Sequence, residues 1–260
     1  MRLRISFKAK SAFMLTWNYH YHFNMSLKKF IQYLYFKNMI CPEINKSFTL
    51  IAKEKLYCYS KLMHNNHNDI QKTKEGITNI RNCYFIFTTP YDFLDLNILK
   101  ECFIKKKIFF NLENQTIELF IEKIELLNER PITQHFTCIS PIVVNEKSYL
   151  ESTKCIEYHP EKDNRLFVLN LKNNLLHKYN KVHHTQNLQD FDFNFSFDDD
   201  YIARKKSNIS KLITFESRKI KAYEAPFIIT APQEIIDIAY KCGLGDNNNI
   251  GFGCIEAVKK

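Results

Sequence analysis

Four of the five glycines in this 260-residue chain fall within eleven residues, GLGDNNNIGFG, from Gly243 to Gly253. A chain of this length ordinarily carries about eighteen, spread through many turns. Glycine permits positive φ and lets one stretch of backbone approach another, and successive free N–H groups can form an anion-binding concavity. A helix cap followed by a turn needs only one such residue. The concentration therefore points to a loop with a task of its own.

Mononucleotide binding is excluded by pattern. A phosphate-binding P-loop needs G-x-x-x-x-G-K-[ST], and no Lys-Ser/Thr pair follows here. A dinucleotide fingerprint lies between a strand and a helix, whereas this stretch lies between a predicted helix and a predicted strand. A longer polyanion fits better, because 37 Lys and Arg against 28 Asp and Glu give a net charge of +9. Eight cysteines (41, 58, 83, 102, 138, 155, 242, 254) contain no C-x-x-C pair, so no zinc site and no other cofactor is expected. MRLRISFKAK does not read as a secretory signal, and AFMLTW is far too short to span a membrane. The expectation is a cytoplasmic protein with free thiols and no membrane contact.

Along the chain, Leu3, Ile5, Phe7 and Ala9 alternate with Arg2, Arg4, Ser6 and Lys8, predicting a half-buried strand with a basic outer face. Ser26 reads as the N-cap of a helix carrying Leu27, Phe30, Ile31 and Leu34 and ending near Asn38. Lys55–Met63 and Cys83–Thr89 read as strands, the segment after Pro90 as a second helix, and Ile117–Leu127 as a strand. That order is a ferredoxin-like βαββαβ unit. After NERP it restarts: FTCISPIVV as strand, LKNNLLHKYNKVHH as helix, and the alternating FDFNFSF and KIKAYEAPFIIT as strands. A helix opens at Thr230-x-x-Gln233 with Pro232 in its first turn, and CIEAV is a last strand. The fold class predicted is α+β, two tandem ferredoxin-like (RRM-like) domains, residues 1–128 and 131–260, the second carrying the glycine-rich loop.

GLGDNNNIGFGCIEAV resembles the C-terminal glycine-rich signature of the CRISPR repeat-processing endoribonucleases of the RAMP superfamily. Gly243, Gly245, Gly251, Phe252 and Gly253 match it position by position, and MRLRISF, NYHYHF, KLYCYSKL and FTCISPIVV agree in order. The resemblance implies metal-independent cleavage of precursor CRISPR RNA within its repeats. The 2′-hydroxyl attacks the neighbouring phosphate, leaving a 2′,3′-cyclic phosphate or 3′-phosphate and a 5′-hydroxyl. It also implies Lys55 beside the scissile phosphate and Tyr33 on the first helix as an orienting group. The family often places a catalytic histidine before the strand matched by KLYCYSKL. Here the interval from Asn38 to Glu54 holds none, and the position falls near Thr49.

His22 is the first substitute by position, with His20, His64 and His67 behind it, since histidine titrates near the working pH. His135, His159, His177, His183 and His184 are expected to be exposed or RNA-facing. RNA contacts are expected from Gly243, Gly245, Asn247, Asn248, Gly251, Phe252 and Gly253, and from Arg204, Lys205 and Lys206 in a mobile loop. Lys105–Lys107 form another basic run, and Tyr33, Tyr57 and Tyr59 are candidates to stack bases. Bulky residues at Gly245 and Gly251 are expected to weaken RNA binding while the fold remains. The partner is repeat RNA, precursor and processed, for a monomer or homodimer that could also join an interference complex. Two alternatives stand: a catalytically inactive relative that holds repeat RNA, and a small-molecule-binding double ferredoxin domain.

Overall fold

Strand β1 (Arg2–Thr16) pairs antiparallel with β5 (Gly76–Thr88) on one side and β7 (Gln115–Leu126) on the other, in a computed structural model. The structure describes residues 1–36, 49, 51, 53–64, 70–91, 95–112, 115–127, 133–145, 155–159, 162–185, 188 and 190–258, with side chains of the first stretch described through residue 32. The sheet runs β2-β5-β1-β7-β6, with β2 (Cys58–Tyr59) and β6 (Lys107–Leu112) at its edges. Two short strands, β3 (Met63–His64) and β4 (Gln71–Lys72), also pair with β5.

Leu3, Phe7, Phe85 and Ile121 point from this sheet to helices α1 (His20–Phe36) and α2 (Leu96–Phe103), where Phe23, Phe30, Leu99 and Phe103 complete the core. Helix α2 is capped by Asp95, whose carboxylate accepts from the Asn97 and Ile98 N–H groups. The predicted cap at Ser26 is not one. Helix α1 begins six residues earlier, and the Ser26 hydroxyl donates back to the His22 carbonyl at 2.8 Å, an ordinary mid-helix bond. The run Lys105–Lys107 leads into an edge strand, β6, that the charge pattern concealed.

The opposite face of β1 is also not what alternation alone predicts. Arg2 is buried, because this end of the sheet is covered by the second half of the chain. Its guanidinium donates to the Ile255 carbonyl at 2.9 Å and the Glu256 carboxylate at 2.8 Å, and lies over the Tyr240 ring.

That second half builds a sheet in the order β13-β8-β12-β9. Its strands are β8 (His135–Cys138), β9 (Asn194–Phe197), β12 (Phe227–Thr230) and β13 (Ile255–Ala257). Helices α3 (Arg165–Val182) and α5 (Gln233–Cys242) belong to the same unit. Phe136, Phe167, Phe197, Tyr223 and Phe227 fill its core. Between β9 and β12 the chain inserts a short helix, α4 (Asp199–Arg204), and a hairpin of β10 (Ser210–Phe215) and β11 (Arg218–Tyr223).

The predicted strand KIKAYEAPFIIT thus divides at Pro226 into pieces of two different sheets. Helix α5 starts after Pro232 with no side-chain cap, and Thr230 belongs to β12. The architecture is α+β, two tandem ferredoxin-like units. Among the described residues no helix is long and apolar enough to cross a membrane, no cluster of His, Cys, Asp or Glu could hold a metal ion, and seven cysteines are free.

Candidate nucleic-acid interface

The glycine-rich stretch closes the joint between the two units. Helix α5 stops at Gly243, and the chain returns through a short 3-10 turn, Asn248–Ile250, to β13. Its N–H groups are committed inside the fold. Leu244 donates to the Gly253 carbonyl, Asp246 to Val143 and Gly253 to Pro141, each at 2.8 Å. Gly245 has φ +74, and a Cβ there would lie 2.3 Å from the Val143 carbonyl oxygen. The expectation that bulky residues at Gly245 leave the fold intact is therefore corrected: backbone stands where the side chain would go.

A buried ammonium holds the loop from within. Lys178 of α3 donates to the carbonyls of Gly243 at 2.7 Å and Gly245 at 2.8 Å, and to Asn248 Oδ1 at 2.7 Å. Asn248 in turn donates to the Phe252 carbonyl at 3.0 Å. Asp246 accepts from Asn174 Nδ2 at 2.9 Å and the Asn145 N–H at 2.8 Å. Replacing Lys178 with Met keeps most of the stem but leaves three acceptors without this donor. At roughly 1–3 kcal/mol for each buried unsatisfied group, we expect a loss of about 3 kcal/mol or more. Urea unfolding checks this, and a loss below about 1 kcal/mol would contradict it.

The expected RNA contacts change accordingly. Gly243, Gly245, Asn248, Gly251, Phe252 and Gly253 are buried, and among the loop residues expected to touch RNA only Asn247 keeps appreciable surface. Phe252 is fully enclosed and stacks on His20 at 5.9 Å between ring centroids. It shares a small apolar cluster with Val143, Phe215 and Tyr21, so the hairpin, the loop and α1 meet there. Arg204, Lys205 and Lys206 are exposed, but they close α4 in a hydrogen-bonded turn rather than lying in a loose loop. Tyr59, a candidate for stacking, is buried instead and accepts from Asn24 at 2.6 Å.

Lys55 is exposed, in a turn with φ +55 three residues before β2. His22 is half-buried near the start of α1, and its ring lies 5.5 Å from that of Tyr21. Tyr33 lies on α1 by its backbone, and its side chain lies outside the described residues, as does His67. Among the described residues no hydrogen bond or ring contact joins His22 to Lys55. His135, His159, His177, His183 and His184 are exposed.

A cleft of about 740 Å³ opens between the units, lined by Trp17, His20, Lys61, His64, Tyr84 and Lys211 among others. Aromatic faces and lysines on one concave surface suit a polyanion with stackable bases. His20 is buried there, and burial followed by the charge of Lys61 lowers its pKa to about 4, so it is neutral at ordinary pH. Among the described residues neither ring nitrogen has a hydrogen-bond partner. No spacing pattern signals Lys61 or Lys211, which reach the cleft from different units.

Two ferredoxin-like units joined through a buried glycine-rich turn are the fold that similar solved structures share. One, described as "CRISPR associated protein Cas6", superimposes with a TM-score of 0.74 at 22% identity, covering 100% of this chain and 99% of that one. Another, described as "An RAMP protein binding different RNA substrates", gives 0.71 at 16% identity and covers 100% of both chains. At these identities the likeness is one of fold. The family model "CRISPR associated protein Cas6, C-terminal" matches residues 127–257, half of the chain, and the protein belongs to that family. The "CRISPR-associated endoribonuclease Cas6 1" of Methanocaldococcus jannaschii is 29% identical over 147 residues. That match covers 55% of this chain and 52% of the relative, so it spans about half of the relative's length.

Proposed function

We propose that this protein binds CRISPR repeat RNA and cuts it within the repeat, without a metal ion. The observation that carries the reading is the family match across the whole glycine-rich joint and the second unit, residues 127–257. The lysine- and aromatic-lined cleft supports it as a place for the RNA strand. In the reaction the 2′-oxygen bonds to phosphorus as the bond from phosphorus to the 5′-oxygen breaks. One proton leaves the 2′-hydroxyl and another reaches the departing 5′-oxygen. Lys55 stabilises the charge that builds on the phosphate, His22 moves a proton, and Tyr33 orients the attacking hydroxyl or the phosphate. Outside the site of cleavage, Asn247, Arg204, Lys205 and Lys206 offer polar and basic surface to the strand.

A second reading is favoured by one specific observation. The interval Asn38–Glu54 has no histidine, and the histidine best placed in the cleft, His20, is buried and neutral. A protein so built could hold repeat RNA without cutting it. Incubating the purified protein with the transcribed repeat in excess chelator separates the two. We expect two products, one ending in a 2′,3′-cyclic phosphate or 3′-phosphate and the other beginning with a 5′-hydroxyl. Intact RNA on a protein that binds it tightly establishes the holding role instead. Cleavage that returns only with added magnesium refutes the metal-free chemistry.

A further inference from the structure

Glu224 sits directly after β11, and its carboxylate is shared by two lysines of the cleft. Lys61, which follows β2 in the first unit, meets Oε1, and Lys211 of β10 meets Oε2 at 2.5 Å. The carboxylate is mostly enclosed, with its side chain 17% exposed, against 28% for Lys61 and 53% for Lys211. Burial pushes its pKa up, but Lys61 and Lys211 more than offset this, so the group is held below the usual glutamate value and stays ionised. The cluster thus carries two positive charges and one negative, beside a neutral His20.

We infer that Glu224 is an internal stand-in for an RNA phosphate, which an entering backbone must displace to reach Lys61 and Lys211. This rests on the RNA-binding reading above. A carboxylate offers the two lysines a pair of anionic oxygens, as the non-bridging oxygens of a phosphodiester do. The same pair of ammonium groups therefore serves either anion, but not both fully at once. Displacement leaves the carboxylate enclosed without its cations, which opposes binding. An RNA that makes further contacts in the cleft offsets this opposition, and one held by its phosphates alone does not. Glu224 then acts by weakening the wrong ligand, which is one of the two ways specificity is built.

The position of Lys61 adds a mechanical consequence. Its backbone N–H donates to the Ile139 carbonyl at 2.9 Å, so the lysine is fixed to the second unit by main chain and side chain together. Releasing the side-chain contact frees the ammonium without opening the joint.

The test measures affinity for two probes, a uridine homopolymer and the transcribed repeat, over a range of salt. Glu224→Gln keeps the side-chain length and removes the charge. We expect it to bind the homopolymer about tenfold more tightly, and its log K against log salt to steepen by about 0.7 for each lysine released to a phosphate. Preference for the repeat over the homopolymer should fall by a similar factor. Lys211→Gln, at the most exposed member, is the arm least exposed to folding failure, and should flatten the slope for the repeat, the probe that reaches Lys211, by about 0.7. A purely structural Glu224 would lower the thermal midpoint without steepening the slope, and that result overturns the inference. Unchanged slopes in both variants overturn it as well. If the wild-type protein binds neither probe at low salt, the RNA-binding reading falls and this inference with it.

Discussion

Gly253→Ala is expected to unfold the second unit or to cost it more than about 4 kcal/mol, a loss in the exceptional range for one substitution. Gly253 has φ +69, where an alanine pays roughly 1–2 kcal/mol for its backbone alone. The larger part is steric. A Cβ would stand 2.0 Å from the Leu244 carbonyl oxygen and 2.5 Å from Asn248 Nδ2. Neither neighbour is free to retreat, because the Leu244 N–H is bonded to the Gly253 carbonyl and Asn248 is held by Lys178. Gly251→Ala gives the comparison. There the obstacle is the edge of the Tyr59 ring at 2.7 Å, a side chain that can yield part of the distance. Chemical denaturation followed by circular dichroism should rank Gly253→Ala well below Gly251→Ala. A Gly253→Ala protein within about 1 kcal/mol of wild type would show that the loop is not the rigid joint described.

The element order was legible because burial writes itself into period. Leu3 and Phe7 on β1, and Ile235, Ile236 and Ala239 on α5, follow the two-residue and 3.6-residue repeats that a sheet face and a helix face impose. Of the inserted hairpin only the second strand was legible, within KIKAYEAPFIIT, and the first, SKLITF, was not. In SKLITF and RKIKAY the buried residues divide between two cores, Ile213, Phe215 and Ala222 in a small cluster and Tyr223 in the main one, with Lys211, Arg218, Lys219 and Lys221 interleaved, so no single buried face shows as a repeat. The basic face assigned to β1 failed at Arg2 for a related reason. Alternation reports that a residue leaves one core, and says nothing of a second layer waiting on the other side.

The glycine-rich stretch was found by composition, but how much of its surroundings is protein was not readable from it. Scarce glycines mark a place where backbone comes close to something, and only the fold shows that the something is protein: Val143, Leu244 and Tyr59. Lys178 was readable in principle. It continues the buried stripe Phe167, Leu171, Asn174 and Leu175 on α3, and a lysine on such a stripe must find acceptors. Lys61 and Glu224 left no such trace, being 163 positions apart and joined only by the folding of one unit on the other.

Abolition of cleavage by a 2′-deoxy substitution just upstream of the cut is the second large effect expected, since that oxygen is the proposed nucleophile. Product formation from the deoxy repeat at an undiminished rate would remove the mechanism altogether. Which protein groups move the protons is then settled by single-turnover rates. Lys55→Ala should lose about 10²–10³, the usual cost of removing a donor aimed at developing charge. His22→Ala should lose about 10²–10⁴ if histidine transfers the proton. His20 makes a different prediction through its environment. With a pKa lowered to about 4 it is neutral above about pH 5 and offers no proton near neutrality. A rate that depended on neutral His20 as base would be level from about pH 5 to 8 and fall as pH drops through about 4. A bend in the profile near neutrality would exclude His20 as that base. If every histidine variant keeps most of the activity while Lys55→Ala loses it, alignment and charge stabilisation carry the reaction, and the enzyme should be slow at every pH.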